Sequence, residues 1–372
     1  MSETDLRDAL LAAAQDPKRA RQHARRLAPG FELPAGLAEA ADRAAGPLIV
    51  RACRGGWLPE DFRQAASRRV DEFAGSYVLD ALAAHATAVD PESLAEAGAV
   101  RWWTGAEPHL MQWAAKHILT PAEAVTAVVE ALGLLLTLPV LATAPHPRPA
   151  AHPGGGGVDG VDGKRLGRVR ALLAKAESSS FPEEAEALSA KAQELMTRYA
   201  FDRVLVEAAP DVASSRRIWL DTPYTDAKSL LVHVVAQANR CRAVFDARWD
   251  FVTVVGDEAD LDAVALLTTS LLLQATRTMI ADPAGRSRPF RKSFLVSYAT
   301  RIGERLEQAA DSTLAAAPDS ADLLPVLASH DKRVATAFST LFPEVVHKSV
   351  TVRSHEGWGA GRQAADRARL GE

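Results

Sequence analysis

Three clusters of cationic side chains give this sequence its clearest chemistry, which is the binding of phosphate. Lys18, Arg19, Arg21, Arg25 and Arg26 form the first, with no acid among them. Lys164, Arg165, Arg168, Arg170 and Lys175 form the second. Arg286, Arg288, Arg291 and Lys292 form the third, which leads into a segment bearing Arg301 and Arg305. The third is the most suggestive. It joins a loop that can follow a nucleic-acid backbone to a helix start, whose free amides favour anions. Phe290 and Phe294 interleave with it, although Phe294 also fits a core position. A solvated surface is the plainer explanation of any one cluster. The residues expected to touch nucleic acid are Lys164, Arg165, Arg168, Lys175, Arg286, Arg288, Arg291 and Lys292.

Catalytic signals are weaker. Gly154–Gly157 followed by Gly163-Lys164 suggests a phosphate-binding loop, but the spacing is one residue too long. Arg165 stands where serine or threonine would hold Mg²⁺, and proline-rich sequence stands where a strand should precede. His355-Glu356 has no second histidine at the spacing of a zinc-binding helix. Cys241 lies between Arg240 and Arg242, whose charges favour a thiolate, yet a small buried strand residue is the commoner case. Asp257, Glu258, Asp260 and Asp262 crowd a helix start, where capping and the helix dipole explain them. His85, His109, His117, His233, His330 and His347 are scattered and read as surface or hydrogen-bonded structural residues. His146 and His152 have no further ligands near them. No metal or cofactor is expected.

The elements that must position these residues are best marked between Lys164 and Tyr199. Leu166, Val169, Leu172, Leu173 and Ala176 recur at helical spacing, and Ser178, Ser179 and Ser180 interrupt them. Ser180 and Glu183 have capping-box spacing, with Pro182 in the first turn. Ala185, Leu188, Ala192, Leu195 and Tyr199 continue on a second helical face. The stretch therefore reads as a helical hairpin. Its run Leu172 to Glu177, then Phe181-Pro182-Glu183-Glu184-Ala185, then Lys191 to Met196 and Tyr199, resembles the bacterial and phage family numbered as domain of unknown function 2786. The region C-terminal to the hairpin resembles, more loosely, the companion domain of unknown function 7168. The resemblance implies an architecture and brings no catalytic residues with it.

The chain has 372 residues, 48% hydrophobic and 24% charged, which is enough for two or three cores. The formal charge of −4 means that any attraction to nucleic acid must be local. Cys53 and Cys241 flank a linker, so no disulfide joins them in this reading and a reducing compartment is expected. Glu3, Asp5 and Asp8 stand where a signal peptide would be positive. Val125–Leu141 contains Glu130 and Pro139 and reads as a core helix instead of a membrane span.

The expected fold is mainly α with a small α+β C-terminal domain. Residues 1–142 form an all-helical domain, with one helix carrying Phe62, Ala66, Val70, Phe73 and Tyr77, and another opened by Thr120, Pro121 and Glu123. Residues 143–163 form a Pro/Gly-rich flexible linker, 164–201 the hairpin, and 202–372 the α+β domain. In that last domain Cys241–Asp246 and Phe251–Val255 read as paired strands and His347–Arg353 as a third. Gly357, Gly359 and Gly361 read as a bend into a last helix from Arg362. Three functions remain open. The first is a cytoplasmic, non-catalytic nucleic-acid-associated protein with no membrane partner. The second is a hydrolase using His355, Glu356 or Cys241. The third is an adaptor that binds another protein.

Overall fold

The computed structural model describes residues 3–142, 171–172, 213–316, 320–346 and 350–368. The chain is mainly α-helical, with a small antiparallel sheet in its C-terminal half. It divides into two compact units, Met1–Ala142 and Thr143–Glu372. The second hairpin helix and the cations Lys164, Arg165, Arg168 and Lys175 lie outside the described residues. Leu172 is described, and it packs against the core of the second unit.

The first unit is built from α1 (Glu3–Ala14), α2 (Ala20–Leu27), α3 (Leu37–Arg54), α4 (Pro59–Arg69), α5 (Glu72–His85), α6 (Pro91–Glu96), α7 (His109–Lys116) and α8 (Pro121–Thr137). α8 runs through its centre, with Val125, Val128, Val129, Leu132 and Leu135 fully buried. Its start is the expected capping box, in which Thr120 accepts from the Glu123 amide and Glu123 reaches back to the Thr120 amide. The single helix expected from Phe62 to Tyr77 is in fact two. Val70 is extended and ends α4, and Asp71 caps α5 by accepting from the Ala74 amide at 2.8 Å. The apolar spacing runs on across a cap that it cannot reveal.

The second unit has β1 (Ser214–Trp219), α9 (Thr225–Ala238), β2 (Arg242–Asp246), β3 (Phe251–Gly256), α10 (Glu258–Ala281), α11 (Arg288–Ala316), α12 (Ser320–Leu341) and α13 (His355–Asp366). β3 is the middle strand, antiparallel to both neighbours, and every one of its residues is buried. The β2–β3 hairpin turns where Asp246 Oδ1 accepts from the amides of Arg248 and Trp249, at 2.8 and 3.1 Å. The third strand is β1, beside β3, in place of the one expected over His347–Arg353. Val350–Arg353 lies outside any strand, with the Arg353 amide donating to Ser293 Oγ, and 347–349 lie outside the described residues.

α13 differs most from expectation. Gly357, Gly359 and Gly361 are inside the helix, which Ser354 caps by accepting from the Gly357 amide at 3.0 Å. A Cβ at Gly357 would lie 2.5 Å from the Phe290 carbonyl oxygen, and one at Gly361 would collide with that of Phe294. Gly357 and Gly361 let α13 lie directly on the backbone of α11, while Gly359 faces open space. Ser297 Oγ then donates to the Trp358 carbonyl at 2.6 Å, and Arg305 donates to the carbonyls of Ala365, Asp366 and Ala368 at the helix end. α10 is long and apolar enough to cross a bilayer, as are α7 and α8 taken together across a 113° bend. Leu261, Val264, Leu267 and Leu271 of α10 are packed within the core of the second unit.

Candidate functional site

Unit 1 carries a groove beside α3, made of two adjoining clefts of about 720 and 550 Å³. They share Asp42, Arg43 and His85. His85 reaches the groove because α3 has no side chain at Gly46, where a Cβ would be 3.0 Å from the His85 Nδ1. Its Nε2 meets Asp42 Oδ1 at 2.9 Å. That hydrogen bond holds the Asp42 carboxyl below its usual range, against the opposing effect of partial burial.

A second histidine–carboxylate pair lies at one end. Asp80 of α5 is 6% exposed and accepts from Trp102 Nε1 at 2.9 Å, while His109 Nε2 sits 2.8 Å from the same oxygen. His109 is the first residue of α7 and packs against Trp103 at 4.3 Å between ring centroids. Beneath it Tyr77 is fully enclosed, and burial pushes its phenol well above its ordinary pKa. On the outside Arg101 lies 5.4 Å from the Trp103 centroid, and Lys116 lies 3.9 Å from that of Trp102. The lining at this end is aromatic and mixed in charge, with Arg43 and Arg101 beside Glu39, Asp42 and Glu107. At the other, Arg7, Arg51 and Arg54 follow Arg43.

The cationic clusters of the sequence fare differently. Ala20 and Ala24 bury one side of α2, so Lys18, Arg19, Arg21, Arg25 and Arg26 all stand exposed on or just before its other side. Among them Arg19 has an ion pair at 3.6 Å to Asp16, and Arg21 interacts electrostatically with Glu130 of α8. In unit 2, Arg286 and Arg288 are exposed and have no ion pair among the described residues. Arg291 donates to the Gly285 carbonyl, and Lys292 meets Asp226 at 2.6 Å. Arg301 is held by Asp366 and Glu304, and Arg305 is buried at the end of α13. Phe290 and Phe294 are both core residues. The structure therefore keeps Arg286 and Arg288 available and turns the four cations after them inward or onto acids.

Residues 164–203 match a family model described as a protein of unknown function, DUF2786. Those residues include the run that carries the resemblance. No curated protein and no solved structure matches the chain.

The remaining polar cluster is in unit 2. Asp257 occupies the N-cap position of α10 but does not cap it. Its carboxylate meets His330 Nε2 at 3.0 Å and Arg333 at 3.3 Å, both from α12. Asp260 pairs with Arg240 at 3.0 Å and lies 3.8 Å from His330. Glu258 and Asp262 hold Arg216 of β1. Partners from other elements, not capping, thus account for the acidic start of α10. Asp257, Asp260 and His330 have the donor types and proximity of a metal site. Each carboxylate already faces a guanidinium, so a dication here would leave a buried excess of positive charge. The cluster acts as an ionic attachment for α12, whose other buried residue among those described is Val334.

The hydrolase candidates do not assemble. Cys241 is 3% exposed and its thiol donates to the Asn239 carbonyl. A Cβ at Gly256 would collide with its sulfur. His355 and Glu356 are exposed in the first turn of α13. The histidine–carboxylate pairs of unit 1 have no spacing signal, because Asp42, His85, Asp80 and His109 come from three helices. The adjoining tryptophans, with Pro108-His109 after them, are the only clue.

Proposed function

We propose that this chain is a cytoplasmic nucleic-acid-associated binding protein without a catalytic centre of its own. The observation that carries this reading is the exposed face of α2 and the turn before it. Lys18, Arg25 and Arg26 have no ion pair among the described residues, and Arg21 stands on the same exposed side of the helix as Arg25. Such a face neutralises phosphates without having to break internal ion pairs first. Arg286 and Arg288 supply a second contact on unit 2, and Lys164, Arg165, Arg168 and Lys175 belong to the same proposal. The region from 202 onward is read as the companion domain of unknown function 7168.

The test is an anisotropy titration of the full chain against labelled duplex and single-stranded DNA and RNA over a range of salt. Binding is expected to weaken steeply with salt. Replacing Arg21, Arg25 and Arg26 together by alanine should lower the slope of log affinity against log salt by about 2 to 3 for duplex DNA. No binding to any of these nucleic acids at low salt ends the proposal.

A further inference from the structure

We propose that Phe31 is a stacking platform for a base of a single-stranded nucleic acid whose phosphates lie along α2. The inference rests on the α2 reading above and narrows it from nucleic acid in general to single strands. Phe31 is the most exposed large apolar side chain among the described residues, at 103% of its reference area, and it has no ring contact among them. So exposed a ring adds nothing to the packing of unit 1, and its apolar faces are open to a partner. It also follows the cations closely. Ala28 is buried where α2 ends, and Pro29, Gly30, Phe31 and Glu32 then stand in solvent as one run. Phe31 is five positions after Arg26, so chain geometry keeps their Cα atoms within about 18 Å. At the stacked spacing of about 3.4 Å per nucleotide that is roughly five nucleotides, within the length that one small binding domain covers.

The surroundings separate the two roles. Arg21 and Arg25 form one exposed row along α2 at i, i+4 spacing, and Gln22 and Arg26 form a second beside it. From Pro17 to Glu32 the sequence holds one acid, Glu32 itself, next to Phe31. Its charge disfavours a phosphate at this point, so the ring meets the base and the arginines meet the backbone. Every base has a π-face, so such a contact is tolerant of sequence. A duplex offers α2 its phosphates but hides the faces of its bases in the stack, and opening that stack consumes what the ring contact would return. A lipid surface would need an apolar helix face. α2 turns its own, Ala20 and Ala24, into the interior of unit 1, which leaves Phe31 as the one exposed large apolar side chain beside it.

Anisotropy titrations of the full chain test it, using labelled oligothymidylate, an abasic strand of the same length, a duplex, and vesicles of equal parts phosphatidylserine and phosphatidylcholine. Phe31→Ala and Phe31→Trp are the variants, at a position so exposed that unchanged melting curves confirm folding. Phe31→Ala should weaken oligothymidylate by about tenfold or more, with the salt slope unchanged. It should leave the abasic strand and the duplex unaltered, and Phe31→Trp should bind oligothymidylate at least as tightly as the parent. Equal weakening on the abasic strand overturns the proposal, because the ring would then read no base. Vesicle binding that Phe31→Ala weakens, with oligothymidylate unaffected, overturns it in favour of a lipid surface. Oligothymidylate binding that is weakened by removing Arg21, Arg25 and Arg26 but not by Phe31→Ala ends this inference and leaves the α2 reading standing. No binding of any nucleic acid by the parent ends both.

Discussion

Arginine serves opposite purposes in the two units. On α2 of unit 1 it stands in solvent on a helix that its alanines already hold in place. On α11 of unit 2 it is structural. Arg301 and Arg305 tie that helix to α13, and Arg291 closes the loop before it. The sequence clusters look alike, yet one is a surface and the other largely internal wiring. The difference arises from the groups across from each helix. Arg25 and Arg26 of α2 meet no ion-pair partner among the described residues, whereas α13 ends in carbonyls and Asp366 beside α11. A run of cations therefore points to a partner only where the fold supplies none of its own.

Substitutions can break or sharpen this contrast. The largest effect is expected for Arg305→Met, which strips three carbonyls of their donor. We expect a loss of about 3 kcal/mol in urea unfolding followed by the fluorescence of Trp358, which packs on the core of unit 2. Arg25→Met, matched in chemistry, should change stability by no more than about 0.5 kcal/mol. Equal losses for the two would erase the distinction. A smaller effect, about 1 to 2 kcal/mol, is expected for Asp257→Asn, which weakens the attachment of α12 to α10. Hydrogen exchange should show the loss first in the amides near His330, and uniform change across unit 2 would count against that assignment.

The smallest effect concerns pH. Asp42 has a folded pKa below its unfolded value, chiefly through the His85 hydrogen bond. Its contribution is therefore present above the ordinary carboxylate pKa of about 3.9 and is lost as pH falls through the depressed folded value. The stability gap between the parent and Asp42→Asn should narrow on acidification below about pH 4. A gap that stayed constant there would show that the pair contributes nothing through ionisation. In unit 2, Cys241 is 3% exposed and is expected to resist thiol reagents until the chain unfolds.

Local signals are legible where the local sequence decides the structure. The Thr120–Glu123 capping box, the helical character of unit 1 and the hairpin of β2 and β3 are all readable from neighbouring residues. The misreadings come where a distant contact reverses a local preference. Glycine at 357, 359 and 361 favours a bend in isolation, but a helix lying against the backbone of α11 requires small residues at 357 and 361. β1 escapes a sequence reading because Ser214–Trp219 carries two arginines and two serines, and its pairing partner β3 supplies the order that its composition does not. The groove of unit 1 is invisible for a related reason. Asp42, Asp80, His85 and His109 become neighbours only once three helices have packed.

The contact between α11 and α13 also has a consequence for synthesis. Residues 355–366 leave the ribosome well after Phe290 and Phe294, whose carbonyl side they cover. Until then the nascent chain presents this backbone face of α11 with the helix that covers it still untranslated. A stalled or truncated message would release a product whose α11 lacks this cover and whose buried Arg305 lacks its carbonyl partners, a substrate for chaperones and proteases in the cell.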